Sequence, residues 1–174
     1  MRVVSGALRG RRIDAPPGTS TRPTTDKVRE ATFNALGSLD LVLDARVADL
    51  YAGSGALGIE ALSRGAAHCT FVERDRTALA VLRGNLHELD LIERSTVVPG
   101  DALVRAAEID ADLVFADPPY DTGADVELWS SLLAAVRADF VVAESGHTLD
   151  AVDGWHIVRE KRYGRTWVTF FERA

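Results

Sequence analysis

The feature that most constrains the fold is a glycine-rich stretch, VADLYAGSGALG, at residues 47–58. Its first residues have the apolar character of a strand, and a helical pattern begins just after the second glycine. Gly53 and Gly55 allow a sharp turn that brings the backbone close to a ligand, and Gly58 lets the helix pack against the strand. The stretch therefore predicts a strand, a ligand-binding turn and a helix, as in open α/β folds.

Strand-like and helix-like segments alternate through the rest of the chain. The patterns predict strands at about 46–51, 67–73, 95–98, 112–117 and 138–144, and helices near 56–64, 76–89, 102–108 and 125–136. Two β-rich segments around a turn at Tyr163 and Gly164 indicate a final antiparallel hairpin. This order predicts an α/β fold built on a parallel sheet.

The N-terminal region differs from the rest of the chain in charge. Residues 1–30 have a net charge of +4 and the remainder −10, within a total of −6. Alternation around Gly6 and Gly10 predicts a short β-hairpin, and a helix is expected to begin near Thr24, Thr25 or Asp26. We expect residues 1–20 to form a basic hairpin extension and residues 21–174 the main domain, with the basic residues available to phosphates.

Composition excludes several classes of protein. No apolar run approaches the length of a membrane span, and the first residues lack the apolar region of a signal peptide, so we expect a cytoplasmic protein. Cys69 is the single cysteine, which excludes an internal disulfide. The four histidines show no spacing typical of metal ligands, and we expect no metal.

A second motif, Asp117-Pro118-Pro119-Tyr120, ends the apolar run at residues 113–116. The amino nitrogen of a nucleobase is a poor nucleophile until acceptors orient its hydrogens and direct its lone pair. Asp117 and the carbonyl of Pro118 can accept those hydrogens, while Tyr120 offers a ring on which an extruded base can stack. The motif predicts capture of a flipped-out base, although the same residues also form ordinary polar turns.

Two cofactors remain compatible with the glycine stretch. Gly53 to Gly58 match the dinucleotide pattern, and Glu73 follows 20 residues after Gly53, so a nicotinamide cofactor must be considered. Asp49 favours S-adenosylmethionine, because a carboxylate there would attract the cationic amino-acid end of that cofactor and repel a pyrophosphate. In either case Glu73 is expected to accept from ribose hydroxyls.

Further cofactor contacts are expected after the third predicted strand. Asp101 is placed to accept from the adenine amino group, and Ala102 to present its backbone N–H. The ligand should lie across the carboxyl ends of the strands, where the separate pieces meet. The cofactor-binding residues predicted are Asp49, Tyr51, Gly53, Ser54, Gly55, Glu73, Arg74, Asp101, Ala102 and Asp117.

The sequence resembles class I S-adenosylmethionine-dependent methyltransferases, and more closely the bacterial small-subunit (16S) ribosomal RNA guanine-N2 methyltransferase family. The closer match is carried by RVVSG and LRGR within residues 2–11, RPT at 22–24, VREA and FN within 28–34, DLYAGSGALGIEA at 49–61, FVE at 71–73 and DPPY at 117–120. The resemblance spans almost the whole chain. Tyr51 stands where that family usually has Phe.

The resemblance implies a seven-stranded, mostly parallel sheet with helices on both faces and transfer of one methyl group to a guanine of 16S rRNA. It implies S-adenosylmethionine as cofactor, S-adenosylhomocysteine as product and a small ribosomal subunit or its assembly intermediate as partner. A monomer is expected. The residues expected to act in catalysis are Asp117, Pro118 and Tyr120; those expected to contact rRNA are Arg9, Arg11, Arg12, Arg22, Thr24, Arg29, Arg162 and Arg165, with Arg159 and Lys161 beside the last two.

Two other functions remain open from the sequence. The Asp-Pro-Pro-Tyr platform recognises an amine and does not specify the base, so methylation of adenine N6 in DNA or RNA is the alternative reaction. A small chain without an inserted recognition domain argues against sequence-specific work on DNA. From another class, the protein could be a non-catalytic RNA-binding assembly factor that retains the glycine loop.

Overall fold

The computed structural model describes residues 1–18, 25–119 and 125–174, and within them seven strands form one sheet. The strands are β1 (Arg46–Leu50), β2 (His68–Glu73), β3 (Ser95–Pro99), β4 (Leu113–Ala116), β5 (Phe140–Ser145), β6 (Trp155–Tyr163) and β7 (Thr166–Arg173). Their order is β3-β2-β1-β4-β5-β7-β6, parallel from β3 to β5, with β7 antiparallel to both of its neighbours. The strand order reverses between β1 and β4, which is where open α/β sheets bind ligands.

The described residues also form five α-helices, α1 (Asp26–Ser38), α2 (Ala56–Ser63), α3 (Arg76–Glu88), α4 (Ala102–Ala106) and α5 (Asp125–Ala135). Side-chain oxygens fix where three of them begin. Thr25 accepts from the backbone N–H of Val28 at the start of α1, and Asp75 accepts from Ala78 at the start of α3. Asp101 caps α4 in the same way. Within the described ranges, no helix is both long enough and apolar enough to cross a membrane.

The helices cover both faces of the sheet, and each face has its own apolar core. On one face, Phe33 of α1 and Leu82 of α3 share a cluster with Phe115 of β4. On the other face, Trp129 of α5 packs in a cluster with Val114 of β4. Because successive side chains of a strand point to opposite faces, the neighbours Val114 and Phe115 enter different cores.

The N-terminal segment, defined as residues 1–18, folds back on itself and packs onto the body of the protein. One antiparallel bridge joins Arg2 and Arg12, and the N–H of Val3 donates to the carbonyl of Arg11 at 2.9 Å. Val3 and Ile13 are buried in the same core as α1, α2 and α3. The expected hairpin is therefore a short turn with a single bridge, and its apolar residues belong to the main core.

The predicted order of elements is confirmed, and every predicted end from residue 46 to residue 145 lies within two residues of the observed one. The α/β fold with a mostly parallel, seven-stranded sheet is likewise confirmed. The reason is that apolar residues recur at helical spacing in the helices and form short continuous runs in the central strands, so the two patterns are easily distinguished. The start of α1 at Asp26, capped by Thr25, agrees with the expectation.

Candidate active site

A cavity of about 440 Å³ opens at the carboxyl ends of β1, β2 and β4. Its wall contains Asp49 and the glycine loop after β1, Glu73 at the end of β2, Ala102 after β3 and Asp117 after β4. These pieces are separated by up to 68 residues in sequence (Asp49 to Asp117). The structure therefore brings into one cavity the segments that the sequence predicted to meet.

The glycine loop, residues 51–55, has a backbone that few side chains tolerate. Tyr51 has a φ of +64°, and Gly53 and Gly55 have φ values of +55° and +84°. A Cβ atom on Gly55 would lie 2.4 Å from a methyl carbon of Leu82, so a side chain at that position would collide with α3. Tyr51, Gly53 and Ser54, which were predicted to bind the cofactor, all line the cavity.

Asp49 is a buried carboxyl group that connects β1 with α2. Its Oδ2 accepts from the backbone N–H of Gly58 at 2.9 Å, and its residue is only 2 % exposed. Burial raises the pKa of Asp49 to about 8, the Gly58 hydrogen bond opposes the rise, and the negative charges of Asp117 and Glu73 add to it. Asp49 lies at the cavity as predicted, and it also fixes the glycine loop against the first turn of α2.

Glu73 is held in one orientation by three backbone N–H groups. Its Oε2 accepts from Gly53 at 2.8 Å, and its Oε1 accepts from Arg74 and Asp75 at 2.8 Å each. A carboxylate has about four acceptor positions, so a further donor such as a hydroxyl can still be accommodated. The orientation of the predicted ribose-binding residue is thus set by the protein's own backbone.

Of the two predicted residues after β3, Asp101 caps a helix and Ala102 lines the cavity. Asp101 accepts from the N–H of Leu103 at 2.9 Å, and its other oxygen lies 3.7 Å from a guanidinium nitrogen of Arg74. Ala102 is buried and lines the cavity. Asp101 was expected to bind adenine; here its carboxylate caps α4 and thereby sets the position of Ala102.

The motif after β4 and Glu73 at the end of β2 are separated by β1, which lies between those two strands in the sheet. Asp117 and Pro119 line the cavity, and Pro118 between them is buried. The negative charge of Asp117 adds to the rise in the pKa of Asp49, which is caused chiefly by burial. Tyr120, predicted to stack on the base, lies outside the described residues.

The predicted RNA-contact residues of the N-terminal segment are exposed, and two of them have protein partners. Arg9 is exposed, Arg11 donates to the carbonyl of Glu88 at 2.6 Å, and Arg12 forms an ion pair with Asp14 at 2.7 Å. Arg22 and Thr24 lie outside the described residues. The exposed guanidinium groups give this segment a basic outer surface.

Arg29 does not fit the prediction that it contacts RNA. Its side chain is fully buried, its Nε lies 3.3 Å from Oε2 of Glu60, and its guanidinium also donates to Asp26 and to the carbonyl of Arg2. A phosphate could not reach it without unfolding this part of the protein. The correction follows from a contact 31 residues away that no local pattern indicates.

The β6–β7 hairpin carries the second group of predicted RNA contacts. Arg162 and Arg165 are exposed, and the Arg162 guanidinium lies 5.8 Å from the centre of the Trp167 ring. Trp167 pairs with Ser145, the last residue of β5, so the hairpin turn lies at the carboxyl end of that strand. Arg159 and Lys161 are exposed on the same hairpin. The turn thus lies at the same end of the sheet as the cavity, at the carboxyl ends of the parallel strands.

Sequence reasoning missed two buried polar side chains, Asn85 beside the glycine loop and Glu144 near the carboxyl end of β5. Asn85 is 5 % exposed and hydrogen-bonds both the glycine loop and the N-terminal segment. Glu144 is 3 % exposed and stands on β5, next to β4. The signal for Glu144 was available, since an acidic residue after the apolar run FVVA is unusual in a central strand. The sequence contains no such signal for Asn85, because an asparagine in a helical segment is not unusual.

Cys69 is a residue of the core, and the described residues contain no group of metal ligands. Cys69 is fully buried, and burial raises the pKa of its thiol, consistent with a residue of the core. Its sulfur would lie 2.6 Å from a Cβ atom on Gly58, so it fills the space between α2 and β2. In residues 1–18, 25–119 and 125–174, no three His, Cys, Asp or Glu side chains are grouped as metal ligands would be.

The sheet order, the glycine loop after β1 and the acidic residue that ends β2 define this chain as a class I methyltransferase by fold. The family model described as "Conserved hypothetical protein 95" matches residues 1–172. The chain belongs to that family, which is the small-subunit rRNA methyltransferase D family indicated by the sequence motifs.

Individual relatives agree with this assignment. The chain is 40 % identical to "Putative rRNA methyltransferase YlbH" of Bacillus subtilis, over 99 % of both chains. It is 36 % identical to "Ribosomal RNA small subunit methyltransferase D" of Escherichia coli, over 99 % of this chain and 90 % of that one. Among solved structures, "Putative methyltransferase yhhF from Escherichia coli" matches with a TM-score of 0.85 and 37 % identity, covering 99 % of this chain and 97 % of the other.

Proposed function

We propose that this protein transfers a methyl group from S-adenosylmethionine to the exocyclic N2 of a guanine in the RNA of the small ribosomal subunit. The observation that carries the proposal is the single cavity that joins the glycine loop and Glu73 with Asp117 and Pro119. A cofactor on one side and an amine acceptor on the other are what such a transfer requires. The rRNA methyltransferase names of two relatives that match nearly the whole chain support RNA as the substrate.

The cavity fits S-adenosylmethionine better than a nicotinamide dinucleotide. Its volume of about 440 Å³ is within the range of sites for small cofactors. The carboxyl groups of Asp49, Glu73 and Asp117 all line the cavity; the pKa of Asp49 is raised chiefly by burial and further by the negative charges of the other two. A negative cavity favours a cationic ligand and opposes a pyrophosphate.

Each side of the cavity has a separate role in holding the cofactor. Glu73 would accept from ribose hydroxyls, and the backbone at Ala102 would meet the adenine. Gly53 and Ser54 let the chain approach the amino-acid end. S-adenosylmethionine supplies an electrophilic methyl group on a positively charged sulfur. The contribution of the protein to catalysis is then to position the acceptor amine against that methyl group.

The Asp-Pro-Pro-Tyr segment would orient the amine that receives the methyl group. Asp117 and the carbonyl of Pro118 would accept its two hydrogens, so that the nitrogen lone pair points at the methyl carbon. Pro119 has no N–H to compete for those acceptors. Tyr120 would stack on the extruded base. The transfer would be direct, with no covalent intermediate on the protein and no metal. The nitrogen lone pair would form the bond to the methyl carbon, and the sulfur would keep the electrons of the broken S–CH3 bond as S-adenosylhomocysteine leaves. The methylated nitrogen would then release one proton, for which the Asp117 carboxylate is the acceptor.

A buried carboxylate on the strand next to Asp117 supports guanine as the base. Ala116 of β4 pairs with Ala143 of β5, so Glu144 follows Ala143 as Asp117 follows Ala116. Guanine presents an N1–H donor beside its N2 amine, whereas adenine presents a lone pair beside its N6 amine. A carboxylate accepts from the first and repels the second. Glu144 is therefore our candidate for discrimination between the two bases.

Two basic surfaces beside the cavity would bind the RNA backbone. One is the N-terminal segment with Arg9, Arg11 and Arg12, and the other is the turn of the β6–β7 hairpin with Arg162 and Arg165. Trp167 beside Arg162 adds a ring on which an unpaired base can stack. Because arginine contacts to phosphates release counterions, affinity for RNA should fall as salt rises.

The experiment that tests the proposal is methyl transfer from labelled S-adenosylmethionine to three substrates: small subunits from a strain lacking the modification, protein-free rRNA and duplex DNA. We expect transfer to one or both RNA substrates and none to DNA. Transfer to DNA adenine would show that the amine is that of another base. Binding of S-adenosylhomocysteine without transfer to any substrate would favour the non-catalytic RNA-binding function.

A further inference from the structure

Asn85 connects two segments that are distant in sequence and adjacent to the cavity. Its Nδ2 donates to the carbonyl of Ser54 in the glycine loop at 2.9 Å and to the carbonyl of Asp14 at 2.9 Å. Its Oδ1 accepts from the N–H of Asp14, also at 2.9 Å. The side-chain amide thus uses its oxygen and both donors of its nitrogen on backbone groups, in a position that is 5 % exposed.

The segment that Asn85 holds is itself part of the cavity wall. Asp14 is followed by Ala15, Pro16 and Gly18, and all three line the same cavity as Ser54 and Glu73. The wall on this side is therefore not made by the methyltransferase sheet and its loops alone. It depends on how residues 14–18 are seated against α3, and Asn85 of α3 makes both backbone hydrogen bonds to Asp14.

The bonding requires a carboxamide. An aspartate would retain the acceptor for the Asp14 N–H but would turn a negative charge toward two carbonyl oxygens, and a leucine of similar size would satisfy none of the three groups. Buried backbone groups left without partners are costly, so the segment would separate from α3. Asparagine is the side chain that can both donate and accept at this point.

We propose that Asn85 is a positioning residue that makes the N-terminal segment part of the cofactor site and so couples cofactor binding to RNA binding. This inference rests on the proposed function of the cavity and of the basic segment. Arg12 lies three residues before Ala15, the first of these cavity-lining residues, and Arg11 lies four before it. RNA held by those arginines would keep the segment seated, and a seated segment completes the wall around the cofactor. Because coupling between two ligands is reciprocal, the cofactor would tighten RNA binding by the same factor.

The test is calorimetric titration of S-adenosylhomocysteine into the full-length wild type, Asn85→Asp, Asn85→Leu and the control Asn34→Ala. Asn34 is the other asparagine of the chain, and it is exposed on α1. We expect dissociation constants about 10-fold higher in both Asn85 variants, as the loss of buried hydrogen bonds predicts, and an unchanged value in Asn34→Ala. With saturating cofactor, kcat should stay near the wild-type value while KM for S-adenosylmethionine rises, a split that a general loss of structure would not produce.

The coupling is tested by repeating the titration with small subunits that lack the modification. In the wild type, subunits should lower the dissociation constant several-fold, within the ~5–150-fold range usual for coupled sites. The Asn85 variants should lose that effect. Folded Asn85 variants that bind S-adenosylhomocysteine and respond to subunits as the wild type does would overturn the inference. A wild type that does not bind S-adenosylhomocysteine would overturn the proposed function instead.

Hydrogen exchange in the unaltered protein covers the case in which the variants do not fold. Asp14, Ala15 and Gly18 carry backbone amides, and the Asp14 amide is bonded to Asn85. We expect S-adenosylhomocysteine to slow exchange in residues 14–18 as well as in the glycine loop. Slowed exchange confined to the glycine loop would contradict the inference.

Discussion

Arg29 and Glu60 form an ion pair in which neither side chain is accessible to solvent, with Nε and Oε2 3.3 Å apart. Glu60 also accepts from the backbone N–H groups of Val4 and Ser5, at 2.8 and 2.9 Å. The Arg64 guanidinium lies 2.9 Å from its other oxygen. One carboxylate thus joins α1, α2 and the N-terminal segment. Ser63 of α2 also bonds the segment, at Ser5, Ala7 and Leu8. The Glu60 carboxylate explains why Arg29 is not on the surface.

Arg29→Met should strongly destabilise the protein. The substitution removes one cation from the buried Glu60 carboxylate, which keeps Arg64, and removes the donors to Asp26 and to the carbonyl of Arg2; breaking a buried pair usually costs about 3–5 kcal/mol in the free energy of unfolding. The measurement is chemical denaturation, with Lys27→Met, an exposed cation of the same helix, as the control that should change little. Unchanged stability together with weaker RNA binding would show that Arg29 is a phosphate contact after all.

Gly58→Ala should destabilise the protein and weaken the cofactor site, whereas Gly84→Ala should not. A Cβ on Gly58 would lie 2.3 Å from a ring carbon of Phe71, and the displaced backbone would strain the Asp49 hydrogen bond. Overpacking of this kind costs about 1–3 kcal/mol. A Cβ on Gly84 meets nothing within 4 Å, so alanine should add about 1 kcal/mol of helix stability. Thermal unfolding of the two variants compares them directly, and equal melting temperatures would contradict the packing argument.

Asp49 should make the stability of the protein decrease as pH rises. Its pKa of about 8 in the folded protein exceeds the usual value of 3.8, so folding takes up a proton between these values. The folded state is therefore favoured at low pH, and this contribution is lost as the pH rises toward 8, by at most about 1.4 kcal/mol per pH unit. Asn at this position keeps an acceptor for Gly58 and has no proton to lose.

The check is the difference in unfolding free energy between wild type and Asp49→Asn, measured at several pH values from about 5 to about 8. Titrating groups that do not interact with Asp49 contribute equally to both proteins and cancel in the difference, whereas Asp117 and Glu73 interact with it. We expect the wild type to lose stability relative to Asp49→Asn across that window. A difference that does not vary with pH would mean that Asp49 is ionised in the folded protein.

The sequence was sufficient for the elements and for the residues around the cavity, because both follow from local patterns. Gly53, Glu73 and Asp117 each end or follow an apolar strand, and parallel strands bring such ends together. What could not be predicted depends on contacts between distant segments. The burial of Arg29 depends on Glu60, and the role of Asn85 depends on Asp14, 71 residues earlier. The sequence around a charged or amide side chain does not indicate which distant residue will pair with it.

Glu144→Gln should relax the choice of base. An amide can donate to the ring nitrogen of adenine as well as accept from that of guanine, so it removes the repulsion that a carboxylate imposes. On small subunits carrying guanine or adenine at the target position, the ratio of kcat/KM values should fall by about 10-fold or more. Glu172→Gln, the same change at an exposed residue of β7, is the control. An unchanged ratio in an active Glu144→Gln would exclude Glu144 from base recognition.

The most direct test of the account is nucleoside analysis of small subunits methylated by the wild type and by Asp117→Ala. We predict N2-methylguanosine as the product of the wild type. Asp117→Ala should form almost none of it while binding S-adenosylhomocysteine nearly as well, because Asp117 is assigned to the amine more than to the cofactor. N6-methyladenosine as the product, or comparable turnover by Asp117→Ala, would contradict the central claim that this carboxylate presents a guanine amine to the methyl donor.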